Sequence, residues 1–292
     1  MTSEMPEHIR KLISSIGHSF NPDVLEKTRA LYAPLIRPVP NIKVMHDLKY
    51  GDHKRHQLDI YAQAGMQNAP VLVYIPGGGF VGGDKRSDEN FYANVGSWFA
   101  GHGVLTVIAN YRLAPEFPYP AGGEDVSAAL TWVHKNISRF GGDSQRIFLF
   151  GQSAGAAHVA TCLFDPVVLN FHKEPAGAIL ASGIYEMTTE QKAPNMLGYY
   201  GLNPEHYERM SQITHIGNSK VPLLLSLAEF DPVFLATPTL QLAHAITLRD
   251  GKSPRLYWQK NHNHVSTVLS FNTGDDIFGM MILEFIQQVT IS

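Results

Sequence analysis

The chain has 292 residues, a formal net charge of −3 and a single cysteine. The length fits one large α/β domain with a substantial core, and the charge balance leaves no basic surface to hold phosphates by counterion release, which argues against nucleic acid as a partner. The lone Cys162 excludes an intrachain disulfide or a thiolate metal cage and agrees with a reducing compartment, so the cytoplasm is the expected location.

In chain order, the start MTSEMPEHIRKLISS has mixed charge and no apolar core of signal-peptide length, and no later run approaches the ~20 apolar residues of a membrane span. Residues 1 to about 40 read as two helices. IKVMHDLKYG and HQLDIYA read as antiparallel strands joined by a turn around Gly51 to Lys54, forming the edge of a sheet. The apolar runs at 71–75, 104–110, 146–150, 176–181, 221–228 and 255–259 have the length and content of strands buried on both faces. Helical patterns lie between and after them at about 87–101, 123–138, 154–164, 233–249 and 275–289. Such alternation implies right-handed crossovers and one α/β domain built on a mostly parallel sheet flanked by helices. Two regions fall outside it, 1 to about 40 and about 186–217, the latter rich in Tyr, Met, Asn and His. Both are assigned to a small helical cap over the carboxyl ends of the strands.

The stretch FLFGQSAGAA passes from a strand into a helix through a lone serine, Ser153, with Gly151 and Gly155 on either side. A very tight strand-to-helix turn strains the residue at its apex and leaves no room for neighbouring β-carbons, which is what the two glycines provide. The hydroxyl then stands at a helix N-terminus beyond a strand end, where ligands of open α/β sheets gather. A capping serine in an ordinary glycine-rich turn is the plain alternative.

A serine nucleophile needs an oriented base, and in this architecture the chain order is Ser, then an acid, then His. Asp231 follows the 221–228 run, with Glu229 as its rival nearer the strand. His264 and His262 both follow the last strand, and His264, next to Val265 and just ahead of Ser266 and Thr267, is the preferred base. In a chain with 14 histidines a His-rich surface loop is the bland reading of that pair, and His-x-His also suggests a metal, for which no partner set accompanies it. YIPGGGFVGGDK supplies a third part: Gly78 and Gly79 offer backbone N–H groups to a substrate oxyanion, with Ala154 as a further donor. A phosphate cradle would need a Lys-Ser/Thr ending directly on a helix, which GGDKRS lacks.

With PGGGFVGGDK, YRLAPEFPYPA, GGDSQRIFLFGQSAG, AEFDPV and NHNHVS in this order, residues 43 to 290 resemble the α/β-hydrolase superfamily. Within it the chain is similar to the hormone-sensitive-lipase-like and feruloyl-esterase-like carboxylesterases, with kynurenine-formamidase-like enzymes as neighbours. The resemblance implies an eight-stranded sheet, a Ser153–Asp231–His264 relay and an oxyanion hole from Gly78, Gly79 and Ala154. It also implies that Arg112 and Glu116 are scaffold. The expected activity is hydrolysis of small carboxylic esters through an acyl-enzyme, without metal or organic cofactor. An amidase or aryl-formamidase using the same residues is the alternative, and a non-catalytic ligand-binding homologue is the third reading. Phe80, Leu197, Tyr199 and Tyr200 are candidates for the substrate pocket, with packing of the cap as the equal alternative. The oligomeric state is left open by the sequence, with a homodimer as one option, since relatives of this kind often pair through late elements of the sheet. Two positions depart from the family: Pro76 where a histidine usually precedes the glycines, and Gln152 where many members carry Asp or Glu before the serine.

Overall fold

The computed structural model describes residues 5–169, 173–190 and 193–291. It opens with α1 (Glu7–Ile16) and α2 (Pro22–Tyr32), the second capped by Asn21, whose side chain accepts the Val24 amide at 3.0 Å. The strands β1 (Ile42–Lys49) and β2 (Gln57–Gln63) follow as an antiparallel pair. Alternation then begins: β3 (Ala69–Ile75), α3 (Ala93–Gly101), β4 (Leu105–Ala109), α4 (Ala121–Asn136), β5 (Gly142–Gln152), α5 (Ala154–Phe164) and β6 (Gly177–Ala181). After α6 (Pro194–Tyr200) and α7 (Tyr207–Met210) come β7 (Leu223–Phe230), α8 (Val233–Asp250), β8 (Arg255–Asn263), α9 (Ser266–Leu269) and α10 (Ile277–Ile291).

The strands form one eight-stranded sheet in the order β1-β2-β4-β3-β5-β6-β7-β8. β2 is antiparallel to both neighbours, and the pairs from β4–β3 to β7–β8 are parallel. The central strands are apolar on both faces because both are covered. Val71, Val73 and Ile75 pack with side chains of α4, α5 and α8, while Leu72 and Tyr74 pack with those of α3 and α10.

One helix begins later than its apolar pattern predicts. The segment expected to be helical from about 87 enters α3 only at Ala93, because the Asp88 carboxylate accepts the amides of Asn90 and Phe91, each at 2.8 Å, and closes a turn there.

This topology creates the crevice. The chain leaves β3 for β4 on one side and returns to β5 on the other, so the carboxyl ends of β3 and β5 flank a switch point. The glycine loop leaves β3 there, and Ser153 leaves β5. Residues outside the alternation pack near this end. Ile9, Ile13 and Tyr32 pack on Val265 and Leu269, just past β8, while Met196, Tyr199, Tyr200, Tyr207 and Met210 cluster with Phe80 and Ala157. Among the described residues no helix is long and apolar enough to cross a membrane.

Candidate active site

Because β5 ends at Gln152 and α5 begins at Ala154, Ser153 alone makes the turn, at φ 56° and ψ −125°. A side-chain-bearing residue is strained in that region, and the flanking glycines are what permit it. A β-carbon on Gly155 would fall on the Ile75 carbonyl oxygen, and one on Gly151 would strike the backbone of Gly155 and Ala156. The Ser153 amide donates to the Ala181 carbonyl at 2.9 Å, tying the turn to the end of β6. Ala154 occupies the first position of α5, where a backbone N–H has no intrahelical partner.

Asp231 is the first residue past β7 and His264 the first past β8. Although they stand 33 positions apart, Asp231 Oδ1 accepts from His264 Nδ1 at 2.8 Å, with both side chains buried. That bond puts the proton on Nδ1 and leaves Nε2 with its lone pair, the form a general base requires. The other carboxylate oxygen accepts from the Ser182 hydroxyl at 2.6 Å and the Ala228 amide at 2.7 Å. The two rivals lie elsewhere. Glu229 accepts the Asn261 amide at 2.6 Å and so braces β7 against β8, while His262 contacts Ser266 Oγ at 2.9 Å and faces Asp275 at 3.2 Å.

The glycine loop is held from three directions. Tyr111 donates its hydroxyl to the Pro76 carbonyl at 3.0 Å, Asn195 donates to the Gly79 carbonyl at 3.0 Å, and the Ala114 amide donates to the Phe80 carbonyl at 3.0 Å. Gly78 has φ 154°, and a β-carbon there would strike the Gly82 backbone, so no other residue fits the turn.

Gly78, Gly79, Ser153, Ala154 and His264 all face one cavity of about 1230 Å³. Phe80 lies on its wall; Leu197, Tyr199 and Tyr200 do not, so of the two alternatives weighed for these four residues packing describes the last three. The reason is packing. Tyr199 stacks on Phe80 with ring centroids 4.5 Å apart and meets the buried His158 at 3.2 Å through its hydroxyl, so these aromatics support the wall from behind. Burial without a charged partner pushes the His158 imidazole down to about 3, which keeps it neutral.

Several lining or supporting residues carry no motif. Phe20, from the turn between α1 and α2, stands nearly perpendicular to the His264 imidazole with ring centroids 4.8 Å apart, and His18 Nδ1 donates to the Asp231 carbonyl at 3.0 Å. Ile184, Glu186 and Met196 come from the segment after β6, and Phe234 and Leu235 from the start of α8. Only Ser182 left a trace in the sequence, as a polar residue just past an apolar strand. Arg112 lies outside the cavity lining, bound through Nε to Asp125 Oδ1 at 2.8 Å.

Residues 57–199 match the carboxylesterase family, a segment that contains the glycine loop and the serine turn and stops short of Asp231 and His264. Esterase LipQ of Mycobacterium tuberculosis is 29% identical over 227 residues, covering 70% of this chain and 52% of that protein. The para-nitrobenzyl esterase of Bacillus subtilis is 32% identical over 184 residues, covering 58% of this chain and 36% of that protein. The chain thus spans about half the length of the first relative and less of the second. Among solved structures, esterase B of Lactobacillus rhamnosis superimposes with a TM-score of 0.75 at 14% identity, covering 97% of this chain and 95% of that one. A hyperthermophilic esterase from Pyrobaculum calidifontis does so at 0.73 and 20% identity, covering 99% and 100%. By sheet order and by these structural likenesses the chain has the α/β-hydrolase fold, and its residues 57–199 match the carboxylesterase family.

Proposed function

We propose that the protein is a serine hydrolase that cleaves small carboxylic esters through an acyl-enzyme. The observation that carries this reading is the buried Asp231–His264 pair, bonded at 2.8 Å and opening into the same cavity as the Ser153 turn. Ser153 Oγ attacks the ester carbonyl carbon while His264 Nε2 takes the hydroxyl proton. The oxygen that gains the negative charge sits among the amides of Gly78, Gly79 and Ala154, aided by the N-terminus of α5. Collapse breaks the bond to the alcohol, which leaves with the proton from His264, and a water molecule then repeats the sequence on the acyl-enzyme. Only acyl and proton transfers are involved, so no cofactor enters the scheme. Asp231 holds the imidazole tautomer and offsets the charge of its protonated form. The base and the nucleophile close to hydrogen-bond distance when substrate fills the cavity, as resting sites of this kind commonly do.

In this reading, residues 5–40, 186–190 and 193–217 form the cap, the expected cap residues 1–4 and 191–192 lying outside the described residues. Phe20 and Leu25 on one side and Glu186 and Met196 on the other support that role, since they roof the cavity and keep bulk water from the acyl-enzyme. The test uses p-nitrophenyl acetate and a fluorophosphonate. Turnover falls by about 10⁴-fold or more in Ser153→Ala, and one fluorophosphonate per chain attaches to Ser153. A variant that keeps most of its turnover overturns the assignment, and a faster rate on a matched aryl formamide moves it to the amidases.

A further inference from the structure

The residue before the serine turn is buried and faces the base. Gln152 is 3% exposed, and its amide nitrogen donates to the His264 carbonyl at 3.1 Å. The same nitrogen lies 3.4 Å from His264 Nε2. Among the described residues no hydrogen bond joins Nε2 to the Ser153 hydroxyl, so in this resting arrangement the lone pair of the base meets an amide N–H. The orientation of the amide follows from its partner: a carbonyl oxygen only accepts, so the nitrogen end must face it, and the oxygen end turns towards Gly77.

We propose that Gln152 is a positioning residue for His264, holding the ring at rest and selecting its unprotonated form, and thereby setting the acid limit of the hydrolysis; this rests on the catalytic reading of Ser153, Asp231 and His264. A neutral imidazole accepts from the amide. Once Nε2 carries a proton, donor meets donor, and the amide cannot turn over without setting its oxygen against the His264 carbonyl oxygen. The protonated ring is therefore driven away from Gln152 and towards the leaving oxygen, which is where its proton is needed. A carboxylate at this position would do the opposite, attracting the protonated ring and repelling the carbonyl. The other ionisable groups around the ring are Asp231 on Nδ1, His18 on the Asp231 carbonyl, and Arg29, Glu186 and Glu190 on the cavity wall. Glu229 and His262 are engaged with Asn261 and with Ser266 and Asp275, and among the described residues none of these groups hydrogen-bonds Nε2.

The test follows the ring itself. In the Ser153→Ala chain, ¹³C-labelled histidine resonances are titrated, with the His264 signal identified among the 14 by its loss in His264→Asn. Gln152→Glu raises the midpoint by about one pH unit or more. Gln152→Met keeps a similar length without a donor and raises it by less, with thermal unfolding as the check on folding. In the chain with Ser153 intact, the acid limb of kcat/KM moves in parallel with the ring. A ring titration unmoved in Gln152→Glu, in a protein whose esterase activity depends on Ser153, overturns the inference alone. A shifted titration in a protein that hydrolyses no ester overturns the catalytic reading alone.

Discussion

In the proposed mechanism, Asp231 is a single carboxylate held in position before any substrate arrives. Buried without partners it would cost several kcal/mol, but both oxygens are bonded, one to His264 and the other to Ser182 and the Ala228 amide. Ser182 therefore fixes the carboxylate that fixes the base. Ser182→Ala removes one hydrogen bond to a charged group and leaves Ala228 in place, so kcat/KM is expected to fall about tenfold. The check is steady-state kinetics with circular dichroism as control; unchanged kinetics would remove Ser182 from the positioning network. The sequence favoured Asp231 and His264 by their places past the strand ends, but it left a rival beside each. Glu229 and Asp231 are two positions apart, as are His262 and His264, and within each pair only the register of the strand end decides which side chain reaches the cavity and which braces its neighbour.

The elements outside the alternation touch the site through particular side chains. The turn between α1 and α2 reaches the base through Phe20 and the acid through His18, whereas α6 reaches the glycine loop through Asn195. Phe20 is 45% exposed, so its truncation removes less buried area than that of a core aromatic. Phe20→Ala is expected to lower kcat/KM three- to tenfold, by roughly the 0.5–1.5 kcal/mol of an edge-to-face contact, with the melting temperature little changed. A large drop in melting temperature instead would make Phe20 a packing residue. The helices themselves follow from amphipathic pattern and from caps such as Asn21 and Pro22, but where they dock follows from which apolar faces remain uncovered after the sheet is built. For the same reason Leu197, Tyr199 and Tyr200 could not be separated from Phe80 by composition. All are large and apolar, and only the stacking of Tyr199 on Phe80 puts one in the wall and the others behind it.

For the molecule as a whole, folding stability carries the imprint of His158. Its imidazole is held neutral in the fold down to about 3, against an unfolded value of 6.5. Below 6.5 the unfolded chain binds a proton that the folded chain does not, so this group removes stability as the pH falls from 6.5 towards 3. The slope is about 1.4 kcal/mol per pH unit. Denaturant unfolding across that window should show the fall, and His158→Phe should flatten it; an equal slope in the variant would assign the acid sensitivity to other groups.

The alternation of apolar runs and amphipathic stretches was enough to determine a mostly parallel sheet flanked by helices with Ser153 beyond a strand end, because burial on both faces and right-handed crossovers leave few other topologies, whereas the strand order that opens the crevice between β3 and β5 came from the structure. The glycine spacing around Ser153 and along the loop at 77–79 was likewise readable, since a β-carbon at Gly78, Gly151 or Gly155 meets backbone. The bond that joins the favoured acid to the favoured histidine, and the contacts of Ser182, Gln152 and Phe20, were visible only in the tertiary structure. Those contacts join chain segments 33 to 244 positions apart, and their geometry depends on strand registers and helix docking that no local pattern encodes.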